Sequence, residues 1–518
     1  MFKNRKTLPL LAAVAALAAL PLTWASPAAA LDVVQLVPDA CTSSLTPGTV
    51  TINALPGGAL RVFSTPGSLA GKRVVLLING NGFPAGYDNL ASHLARNGFI
   101  TAVFIRPGNA ASVPAAFDAI DDVLAHLGIA KNDPDLDIAL VGHSMGGRVA
   151  IDAAKTDTDD GLGYPIRVVA TLAPVASTAS ALDGWDVSGF LTLYGSQDED
   201  TDAYDGTRNE AFFAYDFTGT EGSTTCNTPP CQASSPAFQK TMVFAYGADH
   251  SGLIGVGNSG SFEPQTLDYL SPADTLCITK AYLVGFLRFH LWGDQVYKGM
   301  LRGEWKAPSV SLIDTAEADG FGNPAGAPLR LFVQHSPVQH KNIQNFSAGL
   351  GTFTNSAGAA VQHAEPTDFG ATPFSVRHNT EYALIGWDGD GGNQWARFAI
   401  PAGSRDGSNF THFSLRIGQM NGAPAPFDNP VNANQSVWVG LEDVNGNISW
   451  HQLNGIPAPD RYTAAGPIRA QSHMTTRRIP LSAIEDDINE ADVRAVRFFF
   501  SLGTHGTVLV DNFEWHRD

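Results

Sequence analysis

The stretch that decides the fold runs Ile138-Ala-Leu-Val141, Gly142-His143-Ser144-Met145-Gly146-Gly147 and Arg148-Val-Ala-Ile-Asp-Ala-Ala154. It reads as a buried strand, a tight turn and a helix of small residues, with a serine at the apex, the arrangement of a nucleophile elbow. Glycines two before and two after Ser144 leave room for the backbone to fold that sharply, at the cost of a strained serine. The helix start behind it supplies free amides and a dipole that favour developing negative charge. The five-residue pattern alone also fits a glycine-rich turn of a nucleotide-binding α/β domain. The flanking strand and helix favour the elbow.

Working outward, 518 residues exceed one ordinary domain and suggest two or three. With 44% hydrophobic and 16% charged residues the chain is globular, and its 52 glycines imply many turns. Residues 1–30 stand apart: Lys3, Arg5 and Lys6 precede an apolar stretch from Leu8 to Leu22, and Ala28-Ala29-Ala30 offers a small-residue cleavage site. That is the pattern of a secretory signal peptide, too short to span a membrane, so export to the periplasm or the extracellular space is expected. Its removal would leave the chain three charges more acidic than its formal −18, which excludes ordinary nucleic-acid binding. In an oxidising compartment the four cysteines should pair, with Cys226–Cys231 and Cys41–Cys277 preferred among three connectivities. Zinc-binding CxxC spacing is absent.

From Leu31 to about Lys306 strands and helices alternate, which predicts an α/β fold, a doubly wound and mostly parallel sheet with helices on both faces. After Ala307 short strands separated by Gly, Asn, Asp and Pro clusters predict an all-β sandwich. The expected organisation is therefore a leader at 1–30, an α/β region at 31–306, a linker or first strands of the next domain at 307–340, and the sandwich at 341–518.

A serine hydroxyl is a weak nucleophile unless an imidazole takes its proton and a carboxylate orients that imidazole. Two histidines follow Ser144 within the α/β region. His290 lies late in an apolar helix, the ordinary place for a packed side chain. His250 follows strand Met242–Tyr246 through Gly247-Ala248-Asp249, on a loop at the carboxyl edge of the sheet, and is the expected base. The acid should leave the preceding strand, where Gly195-Ser-Gln-Asp-Glu-Asp200 offers Asp198 first and Asp200 second. For the oxyanion, one backbone donor should be Met145, and the other should come from Asn79-Gly-Asn-Gly-Phe83, with Asn81 or Phe83 as the donor.

Four separated motifs carry a resemblance: Leu140-Val-Gly-His-Ser-Met-Gly-Gly147; Asn79-Gly-Asn-Gly82 with the following Tyr87–Phe99; Gly195–Asp200; and Gly247-Ala-Asp-His250. Together they resemble the α/β-hydrolase superfamily over roughly residues 45–300, nearest its secreted lipases, cutinase and polyester-hydrolase types and chlorophyllase-like esterases. Those relatives usually carry His-Gly where this chain has Asn79-Gly80. The resemblance implies Ser144, Asp198 and His250 as a metal-independent triad with no cofactor, acting on carboxylic esters through an acyl-enzyme.

Only about eighteen residues separate strands Ile166–Leu172 and Phe190–Tyr194, too few for a large lid, so an open cleft near Phe83, Met145 and Trp185 is expected to take bulky or polymeric esters. A monomer is expected. The C-terminal region resembles the jelly-roll, carbohydrate-binding-like modules of secreted hydrolases, most visibly in Arg494–Phe500 and Gly506–Trp515. Its Trp387, Trp395, Trp438, Trp450 and Trp515 either fill a core or stack on rings of a polymer. Asp388, Asp390 and Asp511 are candidate calcium ligands. The rival readings are a carbohydrate esterase guided by that module and an inactive binding protein.

Overall fold

Apolar runs buried on both faces become the central strands: β3 (Arg73–Ile78), β4 (Ile100–Phe104), β5 (Asp137–His143), β6 (Ile166–Leu172), β7 (Gly189–Gly195) and β8 (Gln239–Ala245). They lie in the order β4-β3-β5-β6-β7-β8, every neighbouring pair parallel. Two antiparallel strands, β1 (Thr51–Ala54) and β2 (Leu60–Ser64), enter at the β4 edge. In Asp39–Asp518, one compact unit, the computed structural model describes residues 41, 49–55, 60–80, 84–105, 112–175, 187–195, 198, 239–256, 270–313, 331–336, 340–344, 361–363, 367–370, 383–387, 394–420, 428–429, 434–456, 460–462, 469–471, 474–484, 488–500 and 505–517. Residues 1–30, read above as a leader, and the expected Cys226–Cys231 pairing, together with Asn81, Phe83, Trp185, Asp200, Asp388 and Asp390, lie outside the described residues.

Helices α1 (Pro66–Gly71), α2 (Pro84–Arg96), α3 (Val113–Leu127), α4 (Met145–Asp160) and α5 (Pro272–Trp292) alternate with the strands. The last shows how local chemistry sets an element. The Ser271 side chain accepts the Asp274 amide at 3.1 Å, Pro272 takes the first helical position, and Gly293 at φ 72° stops the helix. Between these caps α5 buries side chains on most of its faces. Among the described residues no helix is long and apolar enough to cross a membrane. Cys277 on α5 is disulfide-bonded to Cys41, with Cα atoms 4.9 Å apart. His290 packs between Phe286 and Phe289 and over Gly189, and burial holds its pKa down at about 3.

The sheet does not end with β8. β9 (Leu331–Ser336) pairs antiparallel with it and completes the nine-stranded sheet, so its last strand comes from the 307–340 stretch. Only residues 337–339 separate β9 from β10 (His340–Gln344), which pairs with a strand of the sandwich. The sandwich is two antiparallel sheets. One holds β12 (Thr367–Gly370), β13 (Ala383–Trp387), β22 (Gly506–His516), β15 (His412–Gln419) and β20 (Thr475–Pro480), with β10 also on β22. The other holds β11 (Val361–His363), β14 (Gln394–Ala399), β21 (Val493–Phe500), β16 (Gln435–Asp443) and β17 (Ile448–Ile456), and β18 (Asp460–Tyr462) with β19 (Arg469–Gln471) forms a separate two-stranded ribbon.

The phase of the strand alternation sorts the tryptophans. Trp387 and Trp515 are fully buried in the sandwich core, Trp387 stacked on Phe500 with centroids 4.5 Å apart and Trp515 donating Nε1–H to the Ser404 carbonyl at 2.7 Å. Trp395, Trp438 and Trp450 alternate with core residues and lie on the opposite face of the second sheet. There they sit with Phe499, Arg397, Arg497 and Glu442, and both guanidinium groups bond the Glu442 carboxylate. Asp511 is fully buried with Arg416 at 4.0 Å, so its charge faces a guanidinium. Among the described residues no three His, Cys, Asp or Glu side chains gather as a metal site.

Candidate active site

At the end of β5 the backbone turns at Ser144, which has φ 56° and ψ −127°, and α4 starts at once with Met145. A positive φ is rare outside glycine, and the flanking glycines show what holds it. A Cβ on Gly142 would lie 2.1 Å from the Gly146 carbonyl oxygen, and one on Gly146 would lie 2.3 Å from the Ile78 carbonyl oxygen. These neighbours are backbone and cannot swing away. Gly142→Ala is therefore expected to cost about 3 kcal/mol or more, read as a large fall in melting temperature. Gly403→Ala is the control, since an added Cβ there meets nothing within 4 Å. A Gly142→Ala protein as stable as that control would refute the packing argument.

Asp198 and His250 come together from the loops after β7 and β8. The Asp198 amide bonds the Gly195 carbonyl at 3.3 Å, and its carbonyl accepts the Tyr194 hydroxyl at 3.2 Å. Gly195 lets the two loops touch, because a Cβ there would fall 2.1 Å from the Ala248 carbonyl oxygen. The turn at Gly247, with φ 77°, then leads to His250. His250 Nδ1 stands 3.0 Å from each Asp198 carboxylate oxygen, with the carboxylate wholly buried and the imidazole nearly so. An Nδ1–H donating there puts the basic lone pair of the neutral ring on Nε2. His143, adjacent to Ser144, sets its ring at a tilt against the His250 ring, with centroids 4.6 Å apart.

The amide of Met145 lies in the first turn of α4, where helix geometry gives it no intrahelical acceptor. On the other side Gly80, after β3, presses against the serine: a Cβ on it would be 2.6 Å from Ser144 Cβ and 3.1 Å from Oγ. Its own N–H is committed to the Tyr87 hydroxyl at 3.1 Å. With that bond in place Gly80 does not serve as the second oxyanion donor, and the sequence candidates Asn81 and Phe83 lie outside the described residues.

Asp249, beside the base, accepts the Gly252 amide at 2.7 Å. Burial raises its pKa to about 6, with the Asp198 carboxylate adding to the rise and the Gly252 bond opposing it. A carboxyl raised in the folded state stabilises when protonated, and that contribution is lost as pH rises through about 6. Asp249→Asn keeps the acceptor oxygen without the charge. Thermal melts should show it more stable than the parent by about 1–3 kcal/mol at pH 8, the gain shrinking as pH falls towards 4. A gain independent of pH would count against this account.

Of the residues singled out in the sequence, Ser144, Met145, Asp198 and His250 lie at the carboxyl ends of β5, β7 and β8. Gly80, Tyr87 and His143 join them as a connected group that residue types alone do not signal. With the geometry in view, residues 75–250 match the alpha/beta hydrolase family. The match starts in β3, ends at His250 and includes no part of the sandwich. Together with the mostly parallel sheet it supports the α/β-hydrolase superfamily for this region, and hence a hydrolase. No curated protein is significantly similar to the chain.

Proposed function

We propose that the protein is a secreted serine carboxylic-ester hydrolase. The observation that carries the proposal is the Asp198–His250 pair at 3.0 Å, buried beside a serine held at φ 56° at the start of a helix. Ser144 Oγ attacks the ester carbonyl carbon while its proton passes to His250 Nε2. The oxyanion is met by the Met145 amide and by a second amide from the loop after β3. Collapse expels the alcohol, which takes the proton from His250, and leaves an acyl-enzyme. Water, deprotonated by the same nitrogen, attacks that ester and releases the acid. Asp198 holds the imidazole in the required tautomer and stabilises its cationic form. The Cys41–Cys277 bond and the leader-like residues 1–30 support export.

The test is covalent. A fluorophosphonate probe should label the intact protein once, at Ser144 by peptide mass spectrometry, and block turnover of p-nitrophenyl butyrate. Absence of both labelling and turnover would sink the serine mechanism and leave a binding protein on a hydrolase fold. A second reading, a carbohydrate esterase, is favoured by the face bearing Trp395, Trp438, Trp450 and Phe499. Flat rings beside a carboxylate and two guanidinium groups suit stacking and hydrogen bonding to sugars. Comparing acetylated or feruloylated glycans with simple acyl esters and a polyester film decides between the readings.

A further inference from the structure

Three of the loops around Ser144 are joined by one buried line of hydrogen bonds. The Gly80 amide donates to the Tyr87 hydroxyl oxygen at 3.1 Å, Tyr87 lies 2.8 Å from His143 Nδ1, and His143 Nε2 lies 3.0 Å from the His250 carbonyl oxygen. Tyr87, His143 and His250 are 1%, 4% and 6% exposed, so water does not substitute for these partners. We propose that Tyr87 and His143 are positioning residues of the reaction, an uncharged, one-way hydrogen-bond chain that fixes the His250 loop against the serine elbow. This rests on the reading of His250 as the base.

The direction of the chain follows from valence. A backbone N–H can only donate, so the Tyr87 oxygen accepts from Gly80, and its single proton goes to His143 Nδ1. Nδ1 is then an acceptor, and a neutral imidazole carries its proton on Nε2. That N–H faces a carbonyl, which can only accept. The opposite tautomer would set a lone pair against the carbonyl oxygen and a proton against the tyrosine. The imidazolium form is disfavoured by burial and by the neighbouring His250, which hold the His143 pKa at about 3. Packing agrees, since the His143 ring meets Tyr87 edge-on at 5.8 Å and His250 at 4.6 Å.

The consequence is that His250 is held at two points. Asp198 fixes its ring through Nδ1, and His143 fixes its main chain through the carbonyl. Two anchors set both the position of the imidazole and the direction in which Nε2 faces. The Gly80 end of the chain lies against Ser144 itself, so the loop beside the serine and the base loop are referred to one another through the elbow residue. A base displaced by about 1 Å loses much of its catalytic effect.

Tyr87→Phe separates this from simple packing, because it keeps the ring and removes only the hydroxyl. It is expected to lower kcat for p-nitrophenyl butyrate by about 10-fold to 100-fold with KM changed less than about 2-fold, and to slow fluorophosphonate labelling of Ser144 in step. His143→Phe should act similarly, and the double variant should be no worse than the poorer single one, since both cut the same chain. Additive losses, or a kcat within 2-fold of the parent in Tyr87→Phe, would overturn the proposal. A readout independent of activity comes from ¹⁵N-histidine NMR of the full chain, the His143 signals being assigned with His143→Phe. His143 should be the Nε2–H tautomer, should stay neutral down to pH 5, and should lose that single tautomer in Tyr87→Phe. An Nδ1–H tautomer or a titration near pH 6.5 overturns the chain. A protein that never hydrolyses esters would fail the functional reading, while these spectra still decide the chain.

Discussion

Ser144→Ala is expected to lower turnover of p-nitrophenyl butyrate by at least about 10⁴-fold, with a melting temperature within a few degrees of the parent. The proposed mechanism removes one atom that nothing else replaces. The amides at the start of α4 and the Asp198–His250 pair remain, so what survives is stabilisation of the oxyanion formed by direct attack of water. Alanine has the same backbone restrictions as serine at φ 56°, and Gly142 and Gly146 still enforce the turn. Activity and stability should therefore separate cleanly. A variant keeping a tenth of the activity, or one that fails to fold, contradicts this account.

Asp198→Asn should cost about 10³-fold to 10⁴-fold in kcat. An asparagine turned to present its amide N–H to His250 Nδ1 would drive the ring proton to Nε2, the nitrogen that must accept the serine proton. Asp200→Ala should be close to the parent, because the carboxylate found 3.0 Å from His250 is that of Asp198. Equal losses in the two variants would mean that the acidic loop acts through its general charge. A normal Asp198→Asn enzyme would transfer the role to another carboxylate.

The elbow was legible because its constraints are local: each glycine answers a backbone contact within a few residues or on the next strand. The parallel sheet was legible from its apolar runs, which strands buried on both faces must have. Asp198 could be ranked above Asp200 by its distance from Gly195, although a carboxylate count alone left both open. The positions Tyr87 and His143 were in plain sight, His143 inside the motif itself. Their connection was not, because it depends on a main-chain carbonyl at His250, and residue types say nothing about main-chain partners. The region from 331 to 387 was equally opaque. Strands such as His340-Lys-Asn-Ile-Gln344 and Thr367-Asp-Phe-Gly370 are short and polar, and their pairing partners rather than their own pattern make them strands. The tryptophans of the sandwich divided by phase, which only the observed register could set.

The short connection between β9 and β10 bears on how a long substrate would meet Ser144 under the proposed function. Adjoining strands lock into the two different sheets, and Thr475 on β20 also bonds the Val333 carbonyl at 3.1 Å. On the carbohydrate-esterase reading proposed above, this short coupling would confine the Trp395 face to a narrow range of offsets from the serine, where a flexible tether would give a broad distribution of reach. A polymer gripped by Trp395, Trp438 and Trp450 would be cut at a spacing set by that offset. Chains too short to bridge it would gain nothing from the grip, and dependence on substrate length would take the form of a step.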